Sequence, residues 1–366
     1  MATALVTQSQ TRTFARDEFS EFHELLVRID EGTVRWPISA PKDLELDDKG
    51  HLKENGFALS SLAYSQLCSY VATGLWRLTM DVSGSARRKG AFDEVVSVPL
   101  AVSIFNKCVE LRFRMPDGVC GRDMVQNHVT RVVDGIVGPR YRYLAHHQLL
   151  DAAVDMLASA EAPMRFHSGL LAGRRMSITF LSETPLAVLD TGEALVGGCY
   201  FTNSEAGECG VRGALMLQLQ GTPFRCLMNM RHLAHAGKSF SKKLGHLLVG
   251  VMSRWDGLAA AAVAANDVLS APLGLVSKPH KQRIVRRLSD YVDKALAADV
   301  VRRVVFTGAD GTMCSRAPLR EVATRTVRDV FITLMRVADG QYPEIRENLE
   351  RAAFDVLSKR VQLAGK

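Results

Sequence analysis

The chain has 366 residues, 47% of them apolar, which suffices for a substantial core and excludes a disordered chain. No continuous apolar run approaches the ~18 residues of a membrane span, no secretory leader is readable at the start, and seven cysteines, an odd number without a repeated spacing, fit a reducing compartment in which most are small buried apolar side chains. The net charge of +7 is uneven: residues 1 to 60 carry 7 Lys/Arg against 11 Asp/Glu, which leaves 39 basic and 28 acidic residues in the remainder, a cationic body of the kind that attracts nucleic acid.

In chain order, residues 1–18 are rich in Thr, Gln and Ser and are expected to be a mobile tail. Asp43 to Asn55 is acidic and turn-rich. Ser60 or Ser61 caps a predicted helix through about Tyr70, with Leu62, Ala63, Leu67 and Val71 at helical spacing, and a second helical piece is expected at Leu75 to Met80. Phe92 to Asn106 reads as a helix interrupted by Pro99. Val109, Leu111, Phe113 and Met115 alternate with charged residues and predict a strand, and further strands are expected at Val129 to Val137 and Tyr141 to Leu144. Gln148 to Leu157 reads as an amphipathic helix. Strands then follow at Met176 to Leu181, Leu195 to Thr202, Ala214 to Gln220 and Pro223 to Met228, separated by Gly-containing turns. Helices are expected at Ser241 to Val268, Lys278 to Ala297, Pro318 to Val337 and Pro343 to Gln362, with a short β-like segment at Arg302 to Gly308. The fold class is therefore α+β: an antiparallel-rich sheet core with flanking helices over residues 19–240, and a helical C-terminal region, 241–366, packed on it.

Two segments carry candidate chemistry. In Arg140-Tyr141-Arg142-Tyr143, strand alternation would place both guanidinium groups on one side for phosphate oxygens and both phenol rings on the other, where they would stack with bases or close the core. From Cys199 to Gly237, two readings compete. As a polyanion site, Arg225, Arg231, His235, Lys238, Lys242 and Lys243 gather around the start of the helix expected near Ser241, whose free N–H groups favour anions. As a metal site, Cys226, His232 and His235 are the candidate ligands, although only the two histidines have the closeness that zinc ligands show on a turn. Asn203-Ser204-Glu205-Ala206-Gly207 reads as a hairpin turn braced by side-chain to backbone bonds. A second basic cluster, Lys278 to Arg287, reads as a solvated helix face. No nucleotide-binding glycine loop, dinucleotide fingerprint or hydrolase motif occurs, and no cofactor is expected.

Several of these pieces in order resemble a family widely encoded by phages and plasmids, the domain of unknown function numbered nine-three-two. Gly56-Phe57-Ala58-Leu59-Ser60 followed by Gln66-Leu67-Cys68 is similar to its opening. Arg140-Tyr141-Arg142 with His146 is similar to its central block, and Asn203 to Gly207 followed by Arg225-Cys226 and Asn229 to its third. This chain departs from the family pattern in having Gly138-Pro139 and Ala145-His146-His147 around Arg140 to Arg142. The resemblance implies a mobile-element protein in the cytoplasm of a bacterial host and no settled activity. Together with the charge, it leads to the expectation of a nucleic-acid-binding protein, for DNA rather than RNA and with single strands as the form to test, in annealing or recombination. Homo-oligomerisation, a host protein partner and no membrane partner are part of that expectation. The alternatives are a metal-dependent enzyme acting on nucleic acid or nucleotides, and a host-factor interaction protein.

Overall fold

The structure, a computed structural model, describes residues 11–48, 50–71, 98–115, 121–158, 163–222, 224–270, 281–282, 285–286, 289–290, 294–306, 326–338, 346–351 and 353. The predicted helix at Leu75 to Met80 and most of those after Lys278, Pro318 and Pro343 lie outside these residues, as does most of the second basic cluster.

The architecture is α+β, with two sheets. The larger has six antiparallel strands in the order β1-β6-β7-β8-β9-β10: β1 (Thr11–Phe14), β6 (Met164–Ala172), β7 (Arg175–Val188), β8 (Ala194–Ser204), β9 (Val211–Leu219) and β10 (Arg225–Leu233). From β6 onward this is a meander of hairpins. Met176, Ile178 and Phe180 of β7 with Cys199 and Phe201 of β8 point to one face and form the main core. That core is covered by α1 (Phe19–Glu31), α4 (His146–Ala158), α5 (Phe240–Met252) and α6 (Trp255–Leu269). The smaller sheet, in the order β2-β4-β5-β3, combines β2 (Thr33–Ile38), β3 (Ala58–Leu59), β4 (Arg122–Asn127) and β5 (Val132–Val137). Its core is closed by α2 (Ser61–Val71) and α3 (Val98–Phe113).

Several expectations are corrected. Thr11 to Phe14 is not tail: it pairs with β6, Thr11 opposite Ala172, and buried Phe14 packs on Phe22 with ring centroids 4.8 Å apart. Val109 to Phe113 is helix, because Val102, Phe105 and Val109 recur at helical spacing and all three are buried, whereas Leu111 and Met115 stand exposed. Tyr141 to Leu144 is not a strand and makes one isolated bridge, Tyr141 to Ala236. Arg302 to Phe306 ends helix α7 (Lys294–Phe306): Val300, Val301, Val304 and Val305 are buried in the i, i+1, i+4, i+5 pattern of a helix face. The stretch Phe240–Ala265 meets the length and mean apolarity of a membrane span, although Lys242, Lys243, Arg254 and Asp256 interrupt it. The chain turns at Ser253 and Arg254, however, and α5 and α6 lay Leu244, Leu247, Val251, Leu258 and Ala262 in the main core. Side chains of α7 and α8 (Val327–Ala338) lie in the same cluster, so the residues after 240 share the core of those before it.

Candidate nucleic-acid interface

The segments singled out in the sequence meet where the two sheets join. The turn after β8 docks on β5: a Cβ on Gly135 would lie 2.5 Å from the Ala206 carbonyl oxygen, so only glycine admits the turn. Gln66 of α2 spans the joint, donating to Ala206 O at 3.1 Å and accepting from the Ile136 N–H at 2.6 Å. Gly207, at φ +77°, supplies the left-handed residue that the turn needs. Gly135→Ala is expected to destabilise the fold by about 1–3 kcal/mol, the cost of forcing a close contact apart; urea unfolding of the variant checks this.

Beneath the turn lies a buried ionic cluster. Arg174 donates from Nε to Asp134 and from Nη1 to Glu205, both at 2.7 Å, while the other Glu205 oxygen accepts the His146 backbone N–H at 2.8 Å. Asn203 donates to the Leu144 carbonyl at 2.9 Å and sits 3.1 Å from His146 Nδ1. Burial pushes the Asp134 carboxyl up against the pull of Arg174, and burial lowers the His146 imidazole despite nearby Glu205. The Asn203 to Gly207 motif is thus more than a hairpin turn, since its glutamate orders the start of α4.

The two tyrosines are not free to stack on bases. Tyr141 donates its hydroxyl to Ser204 O at 2.7 Å and lies over the His235 ring at 4.8 Å; Tyr143 donates to Asp30 at 2.8 Å. Arg225 also leaves the predicted rim, because its guanidinium is bound by fully buried Glu350. Arg231 of β10 is half-buried and lies against α5 at Gly250, where a Cβ would overlap its guanidinium. His235 is buried, with Nδ1 donating to the Arg142 carbonyl at 2.8 Å. Between the rings of Tyr141 and Phe240, its imidazole is lowered by burial to about 4.

The other basic residues come together. The Arg142 N–H donates to the His235 carbonyl at 2.8 Å, which, with the bond from His235, ties residues 140–142 against residues 235–237. Arg140 and Arg142 on one side of this seam, Lys238 just after it and Lys242 and Lys243 in the first turns of α5 are all exposed and form no ion pair with any described acid. The first turn of α5 has no acidic residue, and its N-cap, Ser239, makes no side-chain cap. Lysines there oppose the helix dipole, an arrangement that an anion would relieve.

The metal candidates are separated by the fold. Cys226 lies in the main core, its thiol pushed up by burial to about 12, while His232 is exposed on β10 and His235 is buried under Tyr141. Among the described residues no group of three His, Cys, Asp or Glu is placed to hold a metal.

Sequence reasoning missed Arg174, Arg175, Arg212, Glu347 and Glu350 entirely. On the sheet face opposite the main core, Arg175 and Arg212 converge on Glu347, both at 2.5 Å, and Arg225 joins Arg346 on Glu350. The alternation Arg175, Ser177, Thr179 along β7 was the available signal for a polar outer face; nothing local announced its acidic partners. Compared with family models, curated proteins and solved structures, the chain matches none of them.

Proposed function

We propose that the protein binds nucleic acid, single-stranded DNA in the first instance, through a rim formed by Arg140, Arg142, Lys238, Lys242 and Lys243, without catalytic chemistry of its own. The observation that carries this reading is the pairing of Arg142 with His235, which sets two basic segments, far apart in sequence, beside the same helix start. A set of exposed cations with no ion pair among the described residues, next to a helix start without a side-chain cap, suits a strand of phosphates. With Tyr141 and Tyr143 held in the fold, contacts would run to the backbone more than to bases, so little sequence preference is expected. The phage and plasmid family resemblance supplies the setting, a DNA-metabolism role in annealing or recombination in a bacterial cytoplasm, with an oligomer or a host protein as possible company.

The test is fluorescence anisotropy with a labelled oligothymidylate. Binding is expected to weaken steeply between about 50 and about 200 mM salt, and Arg140→Ala/Arg142→Ala/Lys242→Ala/Lys243→Ala is expected to reduce the salt slope by about 3. Unchanged affinity in that variant would sink the rim reading. Double-stranded DNA and RNA of equal length in the same assay identify the preferred form.

A further inference from the structure

On the outer face of the large sheet a cluster of arginines is held by two of the chain's own glutamates, Glu347 and Glu350. Strand alternation puts Arg175, Ser177 and Thr179 of β7, Tyr200 of β8, Arg212 of β9 and Arg225 of β10 on one side. The helical residues 346–351 lie across them. Glu347, only 2% exposed, takes Arg175 Nη2 and the Tyr200 hydroxyl on Oε1, at 2.5 and 2.7 Å, and Arg212 Nη1 on Oε2 at 2.5 Å. One turn on, Glu350 Oε1 takes the Nε of Arg225, and that of Arg346 at 3.0 Å. The Arg225 guanidinium also lies 5.7 Å from the centre of the Tyr200 ring. A cavity of about 100 Å³ opens beside Glu347, lined by Thr13, Ser168, Ser177, Thr179, Tyr200 and Arg225.

Two features set this apart from ordinary packing. First, guanidinium groups from two strands and a phenol from a third converge on a single carboxylate, the donor set that phosphate oxygens also satisfy, with hydroxyl groups lining adjacent space. Second, buried ion pairs contribute little net stability, because desolvation offsets their attraction; apolar side chains of similar size would hold a helix here as well. Among the described residues the strands of this sheet pair only with one another. Removing residues 346–351 therefore breaks none of the described strand ladders, and from the main core it withdraws Leu349.

We propose that residues 346–351 act as a displaceable acidic plug, and that a phosphodiester strand competes with Glu347 and Glu350 for Arg175, Arg212, Arg225 and Tyr200. This deepens the nucleic-acid reading with a second, gated contact that uses none of the rim residues. When the plug is seated, the protein binds through the rim alone. When it is displaced, the strand reaches across the sheet.

Hydrogen exchange on the wild-type full chain is the primary test, because it requires no variant to fold. Saturating oligothymidylate is expected to speed amide exchange at 346–351 at least several-fold while leaving β7 to β9 unchanged or slowed. Unaltered or slower exchange at 346–351 overturns the plug, and equal acceleration by polyglutamate overturns its assignment to phosphate. Glu347→Gln/Glu350→Gln is expected to bind the oligonucleotide about tenfold more tightly, and unchanged affinity in the folded variant counts against the plug. If that variant does not fold, the wild-type exchange result decides. The rim and the plug fail separately: a rim variant with normal binding removes the former, while exchange at 346–351 judges the latter.

Discussion

Replacing Glu205 with alanine is expected to cost the fold about 3–5 kcal/mol, the range for removing one partner of a buried ion pair. Glu205 is fully buried, and both of its carboxylate oxygens are engaged. Its loss would leave Arg174, 6% exposed, with Asp134 as its only described carboxylate partner, and would strip the first N–H of α4 of its acceptor. The carboxylate also sits at a helix N-terminus, where its negative charge is attracted to the positive end of the dipole. Glu205→Gln keeps an oxygen for the His146 N–H and should lose less than the alanine variant. Urea unfolding of both variants checks the order. A loss below about 1 kcal/mol for the alanine variant would mean that Asp134 alone satisfies Arg174.

Acid should loosen the seam under the rim. The His235 imidazole titrates near 4 in the fold, because burial disfavours its charged form, against an ordinary value of 6.5. The hydrogen bond to the Arg142 carbonyl and the Glu205 charge pull the other way, while nearby His146 and His232 add to the lowering. A depressed folded value means that the unfolded chain takes up the proton first. The stability is therefore fully present above about pH 6.5 and is lost as the pH falls toward 4. From pH 7 to pH 5 the loss from His235 comes to roughly 2 kcal/mol by linkage. Buried His146 is lowered too and adds in the same direction. His235→Gln, which does not titrate, should show a visibly shallower decline in urea midpoint over this range. A decline identical to the wild type would exclude His235 as its source.

Much of the fold was legible because hairpin strands announce themselves locally. From Met176 to Met228 the alternation and glycine turns locate all four strands β7 to β10 and place the limits of β8 and β9 closely, while β7 runs on past Leu181 to Val188 and β10 past Met228 to Leu233. The failures share one cause. At Val109 to Phe113 a short run satisfied a two-residue period, while burial followed the helical period set by Val102 and Phe105 upstream. At Thr11 to Phe14 the strand has no local partner and forms only because β6 offers an edge. The basic rim was half legible. Its lysines were visible as a run, and Arg140 and Arg142 as a doublet, but the Arg142 to His235 bonds that join them are 93 residues apart. Arg225 looked like a rim residue because the acid that binds it lies 125 residues downstream. Composition shows that a chain holds such pairs; only the fold shows which charges remain for a ligand.

Glu347 reaches Arg175 across 172 residues, and that interval has a meaning in time. On the ribosome the meander of β6 to β10 can close as soon as Leu233 emerges, because its contacts are sequential. Arg175, Arg212 and Arg225 then lie on strands that are already paired, while more than a hundred residues separate Leu233 from Glu347, at a synthesis rate of about 5–20 residues per second. Until Glu347 and Glu350 are made, those three arginines are expected to lack the carboxylates that bind them in the finished fold.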